Sequence, residues 1–288
     1  MDYFLQQMVN GLTAGSIYVL LAIGLTIIYG VLWIPQFSHG NLFMVAAFIG
    51  FFLMAIFKFN YWLTMFMCML ILAFIGILIE RIIFRPLYSQ KHITLFIAAI
   101  GMLIILENLA IIFWGLDWRQ YPIQHEQLIT IFGVSLTVQR LLIIAGGVIL
   151  VILVQLFMKR TMTGAAIDAV AQSPEGAQLV GINLNSVYRL SFAIGTALAA
   201  AAACLVAPMA TVSAGMGMMP MLKAFSAIVI GGLGSVPGAM LGGYLLGLAE
   251  SIGGGYVSMA YSDVFSFGLL VVFLIFRPKG LYGRLSEQ

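Results

Sequence analysis

Glu107-Asn108 and Glu250 stand inside long apolar runs, where a polar or charged side chain is costly unless it faces a bundle interior or water. Each reads two ways: as lining for a pathway, or as structural glue paired with a buried hydroxyl or amide. Neither has a second in-span acid beside it, as a proton relay needs, which argues against a proton-driven pump. Other chemistry is thin. The three histidines, His39, His92 and His125, are not grouped with carboxylates or cysteines as a metal site demands. His125-Glu126 opens like a zinc-protease helix, but the second ligand position is Ile129; the pair reads as a solvated surface pair. Ser38-His39 are neighbours and cannot face each other as nucleophile and base. A phosphate loop needs Gly-Lys, and that dipeptide is absent. GMGMMPM, residues 215–221, offers four thioethers that read as a soft-ion site or, more simply, as an apolar loop that docks a partner. The expectation is a chain that is no enzyme, holds no metal or cofactor of its own and binds no nucleic acid.

The elements that carry these residues follow from composition. The 288 residues are 62% hydrophobic and only 8% charged, with a mean hydropathy of +1.10. That is more apolar surface than one soluble core hides, so an all-α integral membrane protein is expected. Windows long enough to span a bilayer fall at about 8–34, 41–57, 61–79, 94–114, 136–158, 187–208, 237–252 and 263–276, about eight transmembrane helices. Continuously apolar runs exclude a barrel, whose strands alternate. The first run follows MDYFLQQ, which lacks a positive n-region, and reads as a retained span. Cys68 and Cys204 lie within apolar runs and read as small buried hydrophobes.

Basic residues set the orientation. Arg81, Arg85 and Lys91, then Lys159, Arg160 and Arg189, then Arg277, Lys279 and Arg284 make nine of the 13 bases, and the positive-inside rule puts all three segments in the cytoplasm. Counting spans back from these leaves the N-terminus outside and the C-terminus cytoplasmic, with 115–135 and 209–222 external. Parity then requires one more crossing than the full-length windows supply. LKAFSAIVIGGLG, residues 222–234, fits a half-length or re-entrant helix, which is tolerated at depth where protein or a wet cavity covers its ends. Its glycines Gly231, Gly232 and Gly234 read equally as tight packing and, with Glu107, Asn108 and Glu250, as pathway lining. Most of the 31 glycines fit close helix packing.

The longest cytoplasmic segment, 159–186, holds AQSPEGAQLVG at 171–181. Its small residues suit close docking into a partner's cleft, and Gly181 permits a sharp turn back to the membrane. Glu175-Gly176-Ala177-x-x-x-Gly181 is similar to the EAA motif of bacterial ABC importers. The chain also carries FSHGNLFM from Phe37, ERIIFRPL from Glu80, VGINLNSVYRLSFAIGTALAA from Val180, LKAFSAIVIGGLGSVPGAMLGG from Leu222 and FRPKGLYG from Phe276. Together these resemble the permease family of the high-affinity branched-chain amino acid ABC importers, and in length the shorter of its two paralogues, over nearly the whole chain.

The resemblance implies a single permease domain over 1–288 in the bacterial inner membrane. Its partners would be a second, paralogous permease, two cytoplasmic ATPase subunits that bind the ATP and Mg, and a periplasmic binding protein. Substrate would move by alternating access, with Glu175, Gly176, Ala177 and Gly181 passing the ATPase movement to the spans. One departure stands out: Gly164-Ala165-Ala166-Ile167-Asp168-Ala169 has no base at 165 or 168, where the family usually carries Arg. A urea or short-chain amide ABC permease is the alternative within the same architecture, and an ion-coupled secondary transporter the alternative outside it; a non-transporting scaffold leaves the 159–186 loop unexplained.

Overall fold

The computed structural model describes residues 2–122, 127–131 and 134–282; His125, Glu126 and Arg284 lie outside them. Eleven α-helices are found among the described residues: α1 (Asp2–Leu32), α2 (His39–Ala55), α3 (Tyr61–Ile79), α4 (His92–Trp114), α5 (Val138–Arg160), α6 (Met162–Gln172), α7 (Pro174–Leu179), α8 (Leu184–Val206), α9 (Met218–Gly231), α10 (Val236–Tyr256) and α11 (Ser262–Phe276). Helix α3 runs on through one π turn, Glu80–Phe84, and a short 3-10 turn, Arg85–Leu87.

Six of these, α1, α3, α4, α5, α8 and α11 with its preceding turn, are long and apolar enough to cross a membrane. The expected eight are reduced because α2 has 17 residues and α10 is diluted by seven glycines. The half-length helix predicted at 222–234 exists, but it covers Met218–Gly231, so part of the methionine segment is its first turn rather than a loop. The 159–186 loop is itself folded into α6, α7 and the start of α8. Short strands, which the apolar runs did not announce, join the segments expected outside. β1 (Arg119–Gln120) pairs antiparallel with β4 (Thr211–Val212), and β2 (Leu128–Ile131) with β3 (Val134–Thr137).

The bundle is built around α1. In its apolar window 89% of residues are buried, and in that of α8 72%, against 22–28% for α3, α4 and α5 and 6% for α11. The residues Val19 to Ile23 of α1 are wholly enclosed, as are Ala199 to Ala203 of α8. Helices at the rim leave Ile97, Ile104, Ile112, Leu153 and Ile275 exposed, the inverse of a soluble surface.

Small residues make the central packing. On α1, Gly11 and Gly15 face Gly243 and Gly247 of α10: a Cβ on Gly247 would stand 2.6 Å from the Gly11 carbonyl oxygen, and one on Gly243 2.9 Å from the Val19 nitrogen. Two four-residue glycine spacings thus interlock backbone to backbone, the arrangement that lipid-embedded helices use where apolar burial gives them no reason to associate. The run of alanines in α8 lets it sit among α1, α2 and α3 in the same way. Polar caps start several of the helices: Asn60 accepts from Leu63 N, Thr161 from Gly164 N, Asn183 from Ser186 N and Ser235 from Gly238 N, each satisfying an otherwise orphan amide.

A bulky residue at this crossing is expected to be far more damaging than one at the rim. Gly247→Val should destabilise the purified protein by about 1–3 kcal/mol or more, as overpacking does, and lower its melting temperature in a thermal-shift assay. Gly101→Ala, on the outer part of α4 where an added Cβ meets nothing within 4 Å, should be neutral or stabilising by about 0.5–1 kcal/mol. Equal melting temperatures for the two variants would contradict the packing described here.

Candidate coupling loop and membrane-embedded charges

The residues 161–183 form a compact double turn. Thr161 caps α6, which buries Gly164, Ile167 and Val170. Ser173 then caps α7, its side chain accepting from Gly176 N at 3.0 Å, and Pro174 occupies the first turn, where its missing N–H is no loss. Glu175 lies in that same first turn, where a negative charge suits the helix dipole. Ala177 is the one buried residue of α7, 3% exposed, and it anchors the short helix to the bundle.

Helix α7 ends in a Schellman motif. Gly181 adopts φ +86°, its N–H donates to the Gln178 carbonyl at 3.0 Å, and Ile182 N–H donates to the Ala177 carbonyl at 3.0 Å. Only a residue tolerant of the left-handed region serves at 181. Of the four residues read from the sequence, then, Ala177 and Gly181 shape the loop, while Glu175 and Gly176 are exposed on it. The most prominent surface belongs to two residues the motif leaves unspecified: Leu179 is 90% exposed and Val180 76%. Their signal was present in the sequence as an apolar pair directly before a helix-ending glycine in a polar segment. Hollows flank the knob on both sides. One of about 580 Å³ lies against Tyr88, Gln178, Asn183 and Tyr188. Another of about 520 Å³ lies between Met162 and Ala166 of α6 and Val187 and Leu190 of α8.

Glu250 is at the centre of a second constellation. Its carboxylate accepts from Tyr18 Oη at 2.9 Å, Lys223 Nζ at 2.6 Å and Ser266 Oγ at 3.2 Å. Lys223 also reaches Asp263 at 2.8 Å and is itself only 8% exposed along its side chain. The cluster therefore joins α1, α9, α10 and α11. The absence of a second acid beside Glu250, inferred from linear sequence, is corrected by Asp263 at the start of α11. Lys223 was the missed partner: a lone base in an apolar half-length helix and a lone acid in an apolar run are each intelligible once paired.

The remaining candidates do not converge on Glu250. Glu107 is half-buried and Asn108 exposed on α4, and Asn108 Nδ2 donates back to the Ile104 carbonyl of its own helix at 2.8 Å. Gly231 packs against Gly238 across the α9–α10 turn. Gly232 and Gly234, at φ +104° and +79°, make that turn possible. His39 is wholly buried beside Gly24, and His92 is exposed at the start of α4. Cys68 and Cys204 are buried and free. The methionines of 215–221 diverge, Met221 buried at 1% and Met218 and Met219 about half exposed. Among the described residues no group of three His, Cys, Asp or Glu could hold a metal ion.

Comparison with known proteins bears on what such a bundle is. A family model described as the branched-chain amino acid transport system permease component matches residues 7–274. The chain is 37% identical over 98% of its length, and 96% of the relative, to the high-affinity branched-chain amino acid transport system permease protein BraD of Pseudomonas aeruginosa. It is 36% identical, with the same coverage of both chains, to the corresponding permease protein LivH of Escherichia coli K12. Among solved structures, PsaBC from Streptococcus pneumoniae, in complex with Fab, has a TM-score of 0.52 over 97% of this chain and 94% of that one. At 14% identity this likeness speaks to the fold alone. With a full-length family match and two relatives above one-third identity, this chain belongs to the branched-chain amino acid transport system permease family, a family of transporter subunits and not of enzymes.

Proposed function

We propose that this chain is a membrane-spanning subunit of an ABC importer that carries branched-chain amino acids across a bacterial inner membrane. The observation that carries the reading is the identity to BraD and LivH along nearly the entire chain. The chain acts as one permease domain over 1–288 beside a second, paralogous permease. Two cytoplasmic ATPase subunits hold ATP and Mg, and a periplasmic binding protein delivers the amino acid.

In this arrangement α2 and α10 cross the membrane together with the six longer spans, making eight, and α9 is the half-length element that restores parity. The N-terminus is outside and the C-terminus cytoplasmic. Two features support this orientation. The β1–β4 pairing holds 119–120 against 211–212, two segments that it puts on the same, external side. Leu281 N and Tyr282 N donate to the carbonyls of Ile230 and Gly231, so the C-terminal segment meets the end of α9 assigned to the cytoplasmic side. The 159–186 segment is the coupling loop: Glu175 and Gly176 meet the ATPase groove, Ala177 and Gly181 keep α7 in shape, and Leu179 and Val180 enter the groove. The loop moves with α6 and α8, so a shift of the ATPase dimer reaches the bundle by alternating access.

Reconstitution tests the reading directly. The chain alone in proteoliposomes should move no leucine, isoleucine or valine under a sodium or proton gradient. With its paralogue, both ATPases, binding protein and ATP it should import them; uptake of urea or acetamide in their place would overturn the assignment of substrate, and uptake by the lone chain the assignment as an ABC subunit. Within the loop, a Leu179→Asp/Val180→Asp double variant should insert normally yet lose at least tenfold in ATP-driven uptake. Gly181→Ala should cost about 1 kcal/mol in the α7 turn and retain most transport, whereas Gly181→Glu should abolish it. Wild-type uptake by the double variant would remove the knob from the coupling role.

A further inference from the structure

The end of α1, the last turns of α5, the inner face of α6 and the start of α10 enclose a cavity of about 650 Å³, within the range of small-ligand sites. Its polar lining is of both signs. Lys159 of α5 and Asp168 of α6 line it, as do Gln155, Thr26 and Ser235. Ile27, Ile167 and Val236 supply an apolar side.

One of these groups has no hydrogen-bond partner and another has only a weak one. Several in-helix hydroxyls donate to the carbonyl four residues back, as Thr13 does to Val9, Ser16 to Leu12 and Ser226 to Leu222, each at 2.8 Å, whereas Thr64 and Ser191 have no partner and line no part of this cavity. Thr26 is 1% exposed, yet its Oγ1 has no hydrogen-bond partner, an arrangement that destabilises the empty cavity. Gln155 directs its amide at the Met240 sulfur, 2.9 Å away, a weak acceptor. A cavity with an ammonium and a carboxylate on its walls, one unmet hydroxyl and an apolar side has the complement of a hydrophobic zwitterion.

We propose that this cavity is a cytoplasm-facing binding site for a free branched-chain amino acid, an inference that rests on the function proposed above. Lys159 takes the ligand's carboxylate and Asp168, whose Oδ2 already accepts from Gln172 Nε2 at 3.0 Å, takes its ammonium. The aliphatic side chain lies against Ile27, Ile167 and Val236, and Thr26 gains the partner it lacks. Because α6 is one wall and leads through Ser173 directly into α7, a bound amino acid holds the coupling loop against α1 and α5. Accumulated product thereby slows further import.

The test uses the full chain in phosphatidylcholine nanodiscs with radiolabelled leucine. Saturable binding is expected, weakened at least tenfold by Lys159→Met, by Asp168→Asn and by the near-isosteric Thr26→Val. The single-charge analogues 4-methylpentanoate and 3-methylbutylamine should compete at least tenfold less well than leucine. In proteoliposomes holding the whole importer, leucine preloaded inside should slow ATP-driven uptake, and Lys159→Met should relieve that slowing. No saturable binding, variants that bind as the wild type does, analogues that compete equally, or leucine binding that appears only after a zwitterionic phospholipid is stripped away would each overturn the site. An importer that moves leucine while its permease binds none brings down this site alone; one that moves no branched-chain amino acid brings down the proposed function with it.

Discussion

The close approach of α1 to α10 and α8 is the constraint on which the other elements depend. In lipid there is no gain from hiding apolar surface between helices, so association rests on contact area at short range and on polar groups satisfied inside the bundle. Glycines at 11, 15, 243 and 247 allow α1 and α10 to touch along their backbones, and the alanine run of α8 closes another side of α1. With α1 sheathed in this way, the shorter and irregular pieces have protein around them. The α9–α10 turn at 232–235 and the link between α1 and α2 at 33–38 both leave helical hydrogen bonding, and backbone of that kind is tolerated at depth only where protein or a wet cavity surrounds it.

Much of this was legible in the residues. Continuous apolar runs located the long helices because the bilayer sets both their length and their character, and the short apolar run ended by glycines marked a half-length helix, found at Met218–Gly231. The polar string at 171–181 announced a break between long helices, and Gly181 is its turn, with φ +86°. What linear sequence did not disclose was pairing across distance. Lys223 and Glu250 are 27 positions apart, and Asp263 lies on a third helix, so nothing in the linear order links them. The strands at 119–120 and 211–212 carry no alternating pattern because two residues are too few to show one. Boundaries slipped where glycine was taken as part of a helix, at 232–234, when its positive φ makes it the turn instead.

The knob and the cavity are two faces of the same short segment. Helix α6 buries Ile167 and Val170 toward the bundle and places Ala165, Asp168 and Ala171 along the cavity, while α7 displays Leu179 and Val180 to the outside. The only buried side chain of α7 is Ala177, so little apolar contact fixes it apart from its continuity with α6 and α8. Helix α7 is therefore held by α6 on one side and by the Asn183-capped start of α8 on the other. Helix α8 is packed against α1, at the centre of the bundle rather than its rim.

Helix α9 presents the opposite case, an element fastened at each end. Its first turn lies against the start of α2, where Gly217 backs onto Gly40. Its last carbonyls, which a helix leaves without internal partners, accept from Leu281 and Tyr282. Between these ends, Lys223 is held by carboxylates from α10 and α11. Breaking a buried ion pair by removing one partner costs about 3–5 kcal/mol, because a charge is left unsatisfied. Sliding α9 alone past α10 would separate Lys223 from Glu250 in the same way and would also part the Gly231–Gly238 contact. Through Lys223 helices α9, α10 and α11 are tied to one another, and Tyr18 Oη and Gln7 fasten α10 to α1 as well.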